Sequence, residues 1–356
     1  MVIYAADLHL APRTWTGRWS IAGDSYLSLN QLQGRAIDTR CAGVILGGDT
    51  TDSNTPDAET LNHLADFCLA LRKAGTPVYY VVGQHDRGSN GYTVLDTYGA
   101  IRLAGEGAVA VGGMTFAGLD WCSRPELLAA LPDLRPADYL VLHAAFRHLL
   151  GFAGSWQLEA DEVPAHFSRV LAGDVHVHSE QAFGHVTVLS PGSGYACDMT
   201  EIGQGHGWFE LDLHQGAMAV KWRPYKLREF RLLDAGQLGL EATAAEIGGL
   251  SAAAGALPPV AFVKAQAGME LPAKWPGQAI VVRLDGPMSL GAELPAQLAD
   301  EVAALGAGCL REALPAVLKQ DEDPGLYAFA EGLLAAADPR QHLREWLAGT
   351  GAALVE

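Results

Sequence analysis

Five short segments of this chain share one pattern, an apolar run that ends in Asp or His. Runs rich in Val, Ile, Leu and Tyr are typical of strands that are buried on both faces. The segments are residues 1–7, 41–49, 76–86, 137–146 and 168–178. Because open α/β sheets bind ligands beyond the carboxyl ends of their strands, we expect these polar endings to meet at one rim. The sequence therefore predicts an α/β fold with a polar site at one edge of its sheets.

The segment between the second and third runs has the pattern of a helix. Thr55 can serve as its N-cap, Pro56 as its first residue and Gly75 as the residue that ends it. Leucines and other apolar residues repeat between them at helical spacing. Residues 41–82 are therefore predicted to form a strand–helix–strand unit.

The residue pattern of the chain changes twice after this unit. Short strands broken by glycine over 98–121 and a hairpin over 207–222 predict a second sheet beside the first. From residue 229 onward an Ala/Gly-rich tract at 241–257 is followed by one strand pattern at 278–287 and two helical patterns, 294–319 and 326–347. We expect three parts, which are a catalytic domain (1–225), a capping domain (226–320) and a C-terminal helical segment (321–356) that could bind a partner.

Composition limits the class of protein. The chain has 41 acidic and 24 basic residues and a net charge of −17, so nucleic acid would be held only if metals or a partner supply positive charge. Five cysteines without a CxxC pair favour free thiols in a reducing cytoplasm. The N-terminus lacks the pattern of a signal peptide, and no apolar run reaches the roughly 18 residues of a membrane span.

The polar endings have the residue types of a metal centre. They are Asp7-x-His9, Gly-Asp49, Gln84-His85-Asp86, His143 and Asp174-x-His176. Oxygen and nitrogen donors suit Mn²⁺, Fe²⁺ or Zn²⁺, and side chains two apart on an extended segment project to one side. Any one of these motifs alone is more often part of the protein's structure than of a metal site. The ordered set at strand ends favours two ions roughly 3.5–4 Å apart that share a carboxylate.

The order of these motifs resembles the signature of the calcineurin-like metallophosphoesterases, which is D-x-H, G-D, G-N-H-D, H, G-H-x-H. Within that family ADLHL, GGDTTDS, GQHD and AGDVHVHSEQAFGHVTVLSPGS are similar to SbcD-type DNA repair nucleases and their bacteriophage recombination relatives. The resemblance covers roughly residues 1–225. It implies a four-layer αββα metallophosphoesterase sandwich with a smaller α+β C-terminal cap domain.

The resemblance also implies a role for each polar residue. The first metal would be held by Asp7, His9, Asp49 and His176, and the second by Asp49, Gln84, His143 and Asp174. His85 would be catalytic, orienting the phosphate or protonating the leaving 3′ oxygen. Asp86 would fix His85 or its loop. The implied ions are two divalent metals, Mn²⁺ first and Mg²⁺ as the alternative.

This sequence departs from the family pattern at two positions. Gln84 stands where the family has Asn, and Asp174 stands where it has the first His of the last motif, a change that favours hard ions such as Mn²⁺ or Mg²⁺. A rival register would pair His176 with His178. The register with Asp174 is preferred because Gly173 and the later PGS turn then fall into place.

Trp15 and Arg18 follow the first ligands on a loop and are candidate substrate-binding residues. Aromatic and Arg side chains there could stack on a splayed base or contact phosphate. A loop held by its own aromatic residues is an equally good interpretation.

Three functional hypotheses remain open. The first is a manganese-dependent DNA exonuclease and endonuclease that forms a homodimer and works with an SbcC-like coiled-coil ATPase. The second is a phosphodiesterase for a small nucleotide or other small phosphodiester, which the acidity mildly favours. The third is a scaffold without catalysis, for which the changes at Gln84 and Asp174 are the best support.

Overall fold

In the computed structural model of this chain the described residues run from 1 to 284. The exceptions within that span are 13–20, 89–92, 106, 151–155, 198, 215, 254, 267–268, 273 and 278. The predicted helices at 294–319 and 326–347, and the loop with Trp15 and Arg18, lie outside the described residues.

The first sheet has six strands. They are β1 (Val2–Ala5), β2 (Val44–Leu46), β3 (Val78–Tyr80), β4 (Ile101–Arg102), β11 (Gly207–His214) and β12 (Ala217–Pro224). Their order is β12-β11-β1-β2-β3-β4, in which β1 to β4 are parallel and the hairpin β11–β12 is antiparallel. Three of the five predicted strands therefore lie side by side and end at the same edge.

The second sheet also has six strands. They are β5 (Val109–Val111), β6 (Met114–Leu119), β7 (Tyr139–His143), β8 (Arg169–Gly173), β9 (His178–Phe183) and β10 (Val186–Pro191). Their order is β5-β6-β7-β8-β10-β9, with parallel pairing from β6 through β7 and β8 to β10. The other two predicted strands, β7 and β8, are thus neighbours at the centre of this sheet.

Buried side chains define four layers. Helices α1 (Asp24–Thr39), α2 (Ala58–Lys73) and α3 (Val94–Thr97) pack on one face of the first sheet through residues such as Leu32, Phe67 and Leu95. The other face meets the second sheet in a core that includes Tyr4 and Phe116. A third core that includes Leu127 of helix α4 (Arg124–Ala130) covers the outer face of the second sheet. The predicted αββα sandwich is confirmed.

The N-terminus of α2 corrects two predictions. Asp57, not Thr55, is the N-cap, and the helix begins at Ala58, not at Pro56. One carboxylate oxygen of Asp57 accepts hydrogen bonds from two of the unpaired N–H groups of the first turn, those of Glu59 (2.8 Å) and Thr60 (3.0 Å), and Asp is preferred over Thr as an N-cap. Gly75 follows the helix at φ = 78°, as predicted for the residue that ends it.

A second compact unit carries most of the described cap. A three-stranded sheet has the order β13 (Phe230–Asp234), β14 (Val260–Gln266) and β15 (Ala279–Leu284), and the short helices are α5 (Ala235–Leu238) and α6 (Leu240–Gly249). Among the described residues, the first unit comprises those of 1–231, 246–261 and 276–279, and the second comprises those of 232–245, 262–275 and 280–284. The described part of the predicted cap contains both helices and strands. Within the described residues, no helix is both long and apolar enough to cross a membrane.

Candidate metal centre

Parallel strand ends bring the predicted ligands together. In the first sheet Asp7 comes two residues after β1, and Asp49 comes three residues after β2. In the second sheet His143 is the last residue of β7, and Asp174 directly follows β8. The carboxylates of Asp7 and Asp49 lie 3.8 and 3.2 Å from the two ring nitrogens of His143. The two sheets therefore contribute to a single cluster.

The backbone at these positions is unusual. Five of the predicted ligands adopt positive φ, a conformation that non-glycine residues rarely take. They are Asp7 (53°), His9 (41°), Asp49 (46°), Asp174 (87°) and His176 (59°). Arg40 is the one other non-glycine residue with positive φ in the part of the chain that the structure describes. Such strain, of the order of 1–3 kcal/mol per residue, is typical of functional sites.

Glycines next to the ligands leave room for them. A Cβ at Gly83 would lie 2.1 Å from Asp49 Oδ1, and one at Gly48 would lie 2.4 Å from His143 Nδ1. A Cβ at Gly173 would lie 2.7 Å from the same His143 nitrogen. These side chains can approach one another closely only because the motifs place glycine before Asp49, Gln84 and Asp174.

The cluster has two halves, one for each predicted metal ion, and Asp49 lies between them. The half for the second ion consists of His143 and Asp174. His143 Nδ1 lies 2.9 Å from the carbonyl oxygen of Gly47 and donates to it, so its Nε2 lone pair faces the cluster. That nitrogen lies 3.2 Å from Asp49 Oδ2 and 3.7 Å from Asp174 Oδ1. Both His143 Nε2 and Asp49 Oδ2 are buried and have no hydrogen-bond partner. Two buried atoms this close need a positive charge between them, which a proton supplies when no metal ion is bound.

The first half of the centre consists of Asp7, His9 and His176. The Nε2 atoms of the two imidazoles lie 3.0 Å apart. His9 Nδ1 lies 3.1 Å from Asp52 Oδ1, and His176 Nδ1 lies 2.7 Å from Glu201 Oε1. When each Nδ1–H donates to its carboxylate, the two Nε2 atoms that face each other are left to share a proton or a metal ion. A shared metal ion explains this contact, since carboxylate-oriented imidazoles are the usual outer arrangement of metal sites.

Two residues that orient the ligands, Asp52 and Glu201, were not among the predicted site residues. Glu201 is 6% exposed and also accepts hydrogen bonds from Ser193 Oγ (3.1 Å) and the backbone N–H of Cys197 (2.9 Å). Asp52 lies in the GGDTTDS motif, so proximity to Asp49 could have identified it. Glu201 is 25 residues from His176, and no spacing rule connects them.

The charges in the cluster compensate one another. Burial raises the pKa of Asp49, but His143 outweighs this effect and lowers the pKa to about 2. Burial lowers the pKa of His143, but Asp49 and neighbouring carboxylates raise it to about 10. Burial also lowers the pKa of His176, whereas Cys197 and Glu201 raise it to about 12. The carboxylates thus favour positive charge here, which protons or metal ions can supply.

His85 lies beside the cluster and is more exposed than the buried ligands Asp7, His9, Asp49 and His143. Its backbone N–H donates to Asp49 Oδ1 at 2.8 Å, which leaves the other oxygen of Asp49 for the centre. Its Nδ1 donates to the carbonyl of Asp52 at 2.9 Å, and its Nε2 lies 3.9 Å from Asp49 Oδ2. Asp86 accepts hydrogen bonds from the backbone N–H groups of Thr51 (2.9 Å) and Gly83 (3.1 Å) and so ties the two motif loops together.

Gln84 and His178 are placed differently from the buried ligands. Gln84 is exposed on the loop before His85. His178 is the first residue of β9, and its ring stacks on Trp222 with centroids 4.1 Å apart and lies 3.4 Å from Glu180 Oε1. The geometry therefore brings His176, and not His178, against His9.

Three overlapping groups of side chains have donor atoms within 4.8 Å of one another. They are Asp7, Asp49 and His143; His9, Asp49 and His85; and His9, His176 and Cys197. The shared Asp49 has the position expected of a bridging carboxylate. The unpartnered buried atoms and the mixed oxygen and nitrogen donors both fit divalent metal ions.

Comparison with known proteins points in the same direction. The chain is 25% identical to the DNA double-strand break repair protein Mre11 of Sulfurisphaera tokodaii over 196 residues, 51% of this chain and 50% of the relative. It is 26% identical to the protein of the same name from Saccharolobus solfataricus over 187 residues, 49% of each chain. The predicted resemblance is confirmed.

Other comparisons add less. The chain spans about half the length of the curated relatives it matches. No family model matches it. A dimetal phosphatase from Danio rerio is a solved structure with a TM-score of 0.40 and 11% identity, covering 63% of this chain and 96% of that one. By its layers and its motifs the chain resembles a metallophosphoesterase, and over about half its length it is similar to proteins named for DNA double-strand break repair.

Proposed function

We propose that this chain is a two-metal, manganese-dependent DNA exonuclease and endonuclease of SbcD type. One observation carries the proposal, which is that the buried Asp49 Oδ2 has no hydrogen-bond partner and belongs to two overlapping groups of donors. A carboxylate in this position suits a bridge between two ions. The curated relatives, which are named as DNA double-strand break repair proteins, support DNA as the substrate.

In this proposal Asp7, His9, Asp49 and His176 hold the first ion, and Asp49, His143, Asp174 and Gln84 hold the second. Two such ions would polarise the scissile phosphate and activate water for the displacement. Gln84 is the one proposed ligand that is exposed, so its amide oxygen would complete the second set from the solvent side.

His85 is proposed to act on the substrate and not on the metals. Its Nδ1–H is engaged by the Asp52 carbonyl, so the Nε2 atom is the one available to the substrate. When protonated, this nitrogen can donate to a phosphoryl oxygen or to the leaving 3′ oxygen. Its greater exposure, with 41% of the side chain accessible, is consistent with contact to a ligand that arrives from solvent.

The DNA substrate has to be reconciled with the acidity of the chain. With a net charge of −17, general attraction cannot bind a polyanion, so metal ions and a partner must supply positive charge. We propose an SbcC-like coiled-coil ATPase as that partner, assembly as a homodimer and a cytoplasmic location. The described cysteines, Cys41, Cys68, Cys122 and Cys197, are all free thiols, which supports a reducing compartment.

The test is cleavage of linear duplex DNA by the purified chain with Mn²⁺, with Mg²⁺ and with a chelator. We expect cleavage with Mn²⁺ that the chelator abolishes and that an identically purified Asp49→Asn variant lacks. The variant controls for contaminating nuclease. Absence of DNA cleavage at every metal concentration, alone and with a coiled-coil ATPase partner, would contradict the nuclease assignment.

The acidity favours a second candidate, a phosphodiesterase for small substrates. This enzyme would use the same ions and the same His85 on a cyclic nucleotide or another small phosphodiester. Hydrolysis of bis-p-nitrophenyl phosphate is expected from both enzymes, so only the DNA assay separates them.

A further inference from the structure

Cys197 lies at the first half of the centre. Its Sγ forms a group with nitrogen atoms of His9 and His176 in which all donor atoms lie within 4.8 Å of one another. The residue is half-buried, and its backbone N–H donates to Glu201 Oε2 at 2.9 Å. The same Glu201 orients His176 through its other oxygen. The thiol and the imidazole are therefore held in place by one carboxylate.

Independent observations support a cation at this place. Asp49 Oδ2 is buried and unpartnered, and it lies 3.8 Å from His9 Nε2. The Nε2 atoms of His9 and His176 face each other at 3.0 Å, while the Nδ1 atoms of both rings contact carboxylates. The Cys197 sulfur lies within 4.8 Å of a nitrogen of each of these two rings.

We propose that Cys197 is a thiolate ligand of the first metal ion, beside His9 and His176. On binding, the S–H bond breaks, the proton leaves to solvent, and a sulfur–metal bond forms. The metal keeps its oxidation state. The inference rests on the proposed two-metal function and assigns to its first position a donor that the motif pattern does not contain.

The thiolate makes the two metal positions chemically different. With two imidazoles and a thiolate beside the carboxylates of Asp7 and Asp49, the first position has the softer donor set, which favours Zn²⁺ or Fe²⁺. The second half offers the carboxylates of Asp49 and Asp174 with a single imidazole, a harder set that suits Mn²⁺. We therefore expect a mixed centre, with Zn²⁺ or Fe²⁺ in the first position and Mn²⁺ in the second.

The first test uses Co²⁺, which reports thiolate ligation by a near-ultraviolet charge-transfer band. The protein loaded with Co²⁺ should show this band, and Cys197→Ser should lose it while still binding Co²⁺. Cys122→Ser is the matched control, because Cys122 is also half-exposed but belongs to none of the three donor groups. That variant should keep the band.

A second test needs no variant and therefore does not depend on folding of the mutant. In the wild-type protein, Zn²⁺ should slow alkylation of Cys197 by iodoacetamide and leave the rate at Cys122 unchanged, as read by mass spectrometry of the two peptides. X-ray absorption at the zinc edge should show a sulfur scatterer at about 2.3 Å. Zn²⁺ affinity of Cys197→Ser should fall by at least the roughly 10–100-fold that loss of an outer hydrogen-bond partner costs.

The outcomes separate this inference from the function on which it rests. Two ions per chain and DNA cleavage, combined with identical Co²⁺ spectra for wild type and Cys197→Ser, would overturn the cysteine ligand alone. A chain that binds no divalent metal would overturn both. Unchanged alkylation of Cys197 in the presence of bound Zn²⁺ would also overturn the inference.

Discussion

The two halves of the centre are built differently. In the first half the imidazoles of His9 and His176 are oriented by carboxylates, those of Asp52 and Glu201. In the second half the imidazole of His143 is oriented by a backbone carbonyl, is only 2% exposed and is surrounded by acids. A carboxylate partner raises the basicity of an imidazole and can be changed by mutation, whereas a carbonyl cannot. Mutation of the orienting partner should therefore change metal affinity in the first half, whereas the partner of His143 in the second half cannot be changed in this way.

Asp49→Asn should remove the feature that the two halves share. One bridging oxygen would become an amide, so we expect loss of both ions and a fall in DNA cleavage of roughly 10³-fold or more, equal to several kcal/mol of transition-state stabilisation. Metal analysis by mass spectrometry and a cleavage assay measure the two effects. Retention of two ions with full activity would show that the halves do not depend on a common bridge.

His85→Ala should separate metal binding from catalysis in both halves. His85 donates its backbone N–H to Asp49, and that contact survives the substitution. We expect two ions per chain and a loss of activity of about 10²-fold or more, the range of a general acid. His178→Ala is the matched control, since that ring stacks on Trp222 instead, and it should leave activity within a few-fold. Equal losses in the two variants would remove the role assigned to His85.

Glu201→Gln should affect the first half only. The amide can still contact His176 Nδ1 but no longer carries the charge that raises its basicity, so affinity for one ion should fall by roughly 10–100-fold. Titration calorimetry should resolve one weakened site and one unchanged site. Equal weakening of both sites would show that the two halves bind their ions as one coupled unit.

Metal binding should release protons. The imidazoles that are surrounded by acids should release more protons at neutral pH than ordinary histidines would. The pKa of His143 is raised to about 10 and that of His176 to about 12, so both rings are protonated at neutral pH until a metal replaces the proton. Apparent affinity should therefore rise as pH is raised. Calorimetry in buffers of different ionisation enthalpy measures the release, and a value near zero at pH 7 would contradict it.

Gln84→Asn should have the smallest effect and should fall on the second half. The shorter amide restores the residue that the family pattern has at this position, and Gln84 is exposed, so little packing changes. We expect affinity for the second ion to change by a few-fold, measured by Mn²⁺ titration. A loss as large as that of Asp49→Asn would mean that Gln84 holds far more of the site than its exposure suggests.

The parallel strands and their polar endings were predictable from the sequence for a physical reason. Each buried strand is a continuous apolar run, and the parallel arrangement sends every carboxyl end to one edge. Asp7 and His143 therefore meet although 136 positions separate them, because each residue ends such a run. Helix α1 is not predicted, since its apolar residues are interrupted by Ser, Asn, Gln and Gly.

The remaining parts of the site depend on tertiary structure. Glu201 reaches His176 from a short helical turn that carries no motif, and Cys197 approaches the same place through the turn before it. The positive φ values of the ligands likewise follow from packing, because positive φ is uncommon even for Asp and His, although these residues adopt it more often than most. The local sequence shows which residues can be ligands, whereas the orientation of their side chains depends on contacts with distant parts of the chain.

The most direct test of the binuclear centre is anomalous diffraction from crystals of the chain soaked in Mn²⁺. We predict two metal peaks roughly 3.5–4 Å apart on either side of Asp49 Oδ2, with Mn²⁺ against His143 and Asp174 and either Mn²⁺ or the softer ion proposed above against His9 and His176. Peaks elsewhere on the protein, or no ordered Mn²⁺ between these side chains at saturating metal, would contradict the account.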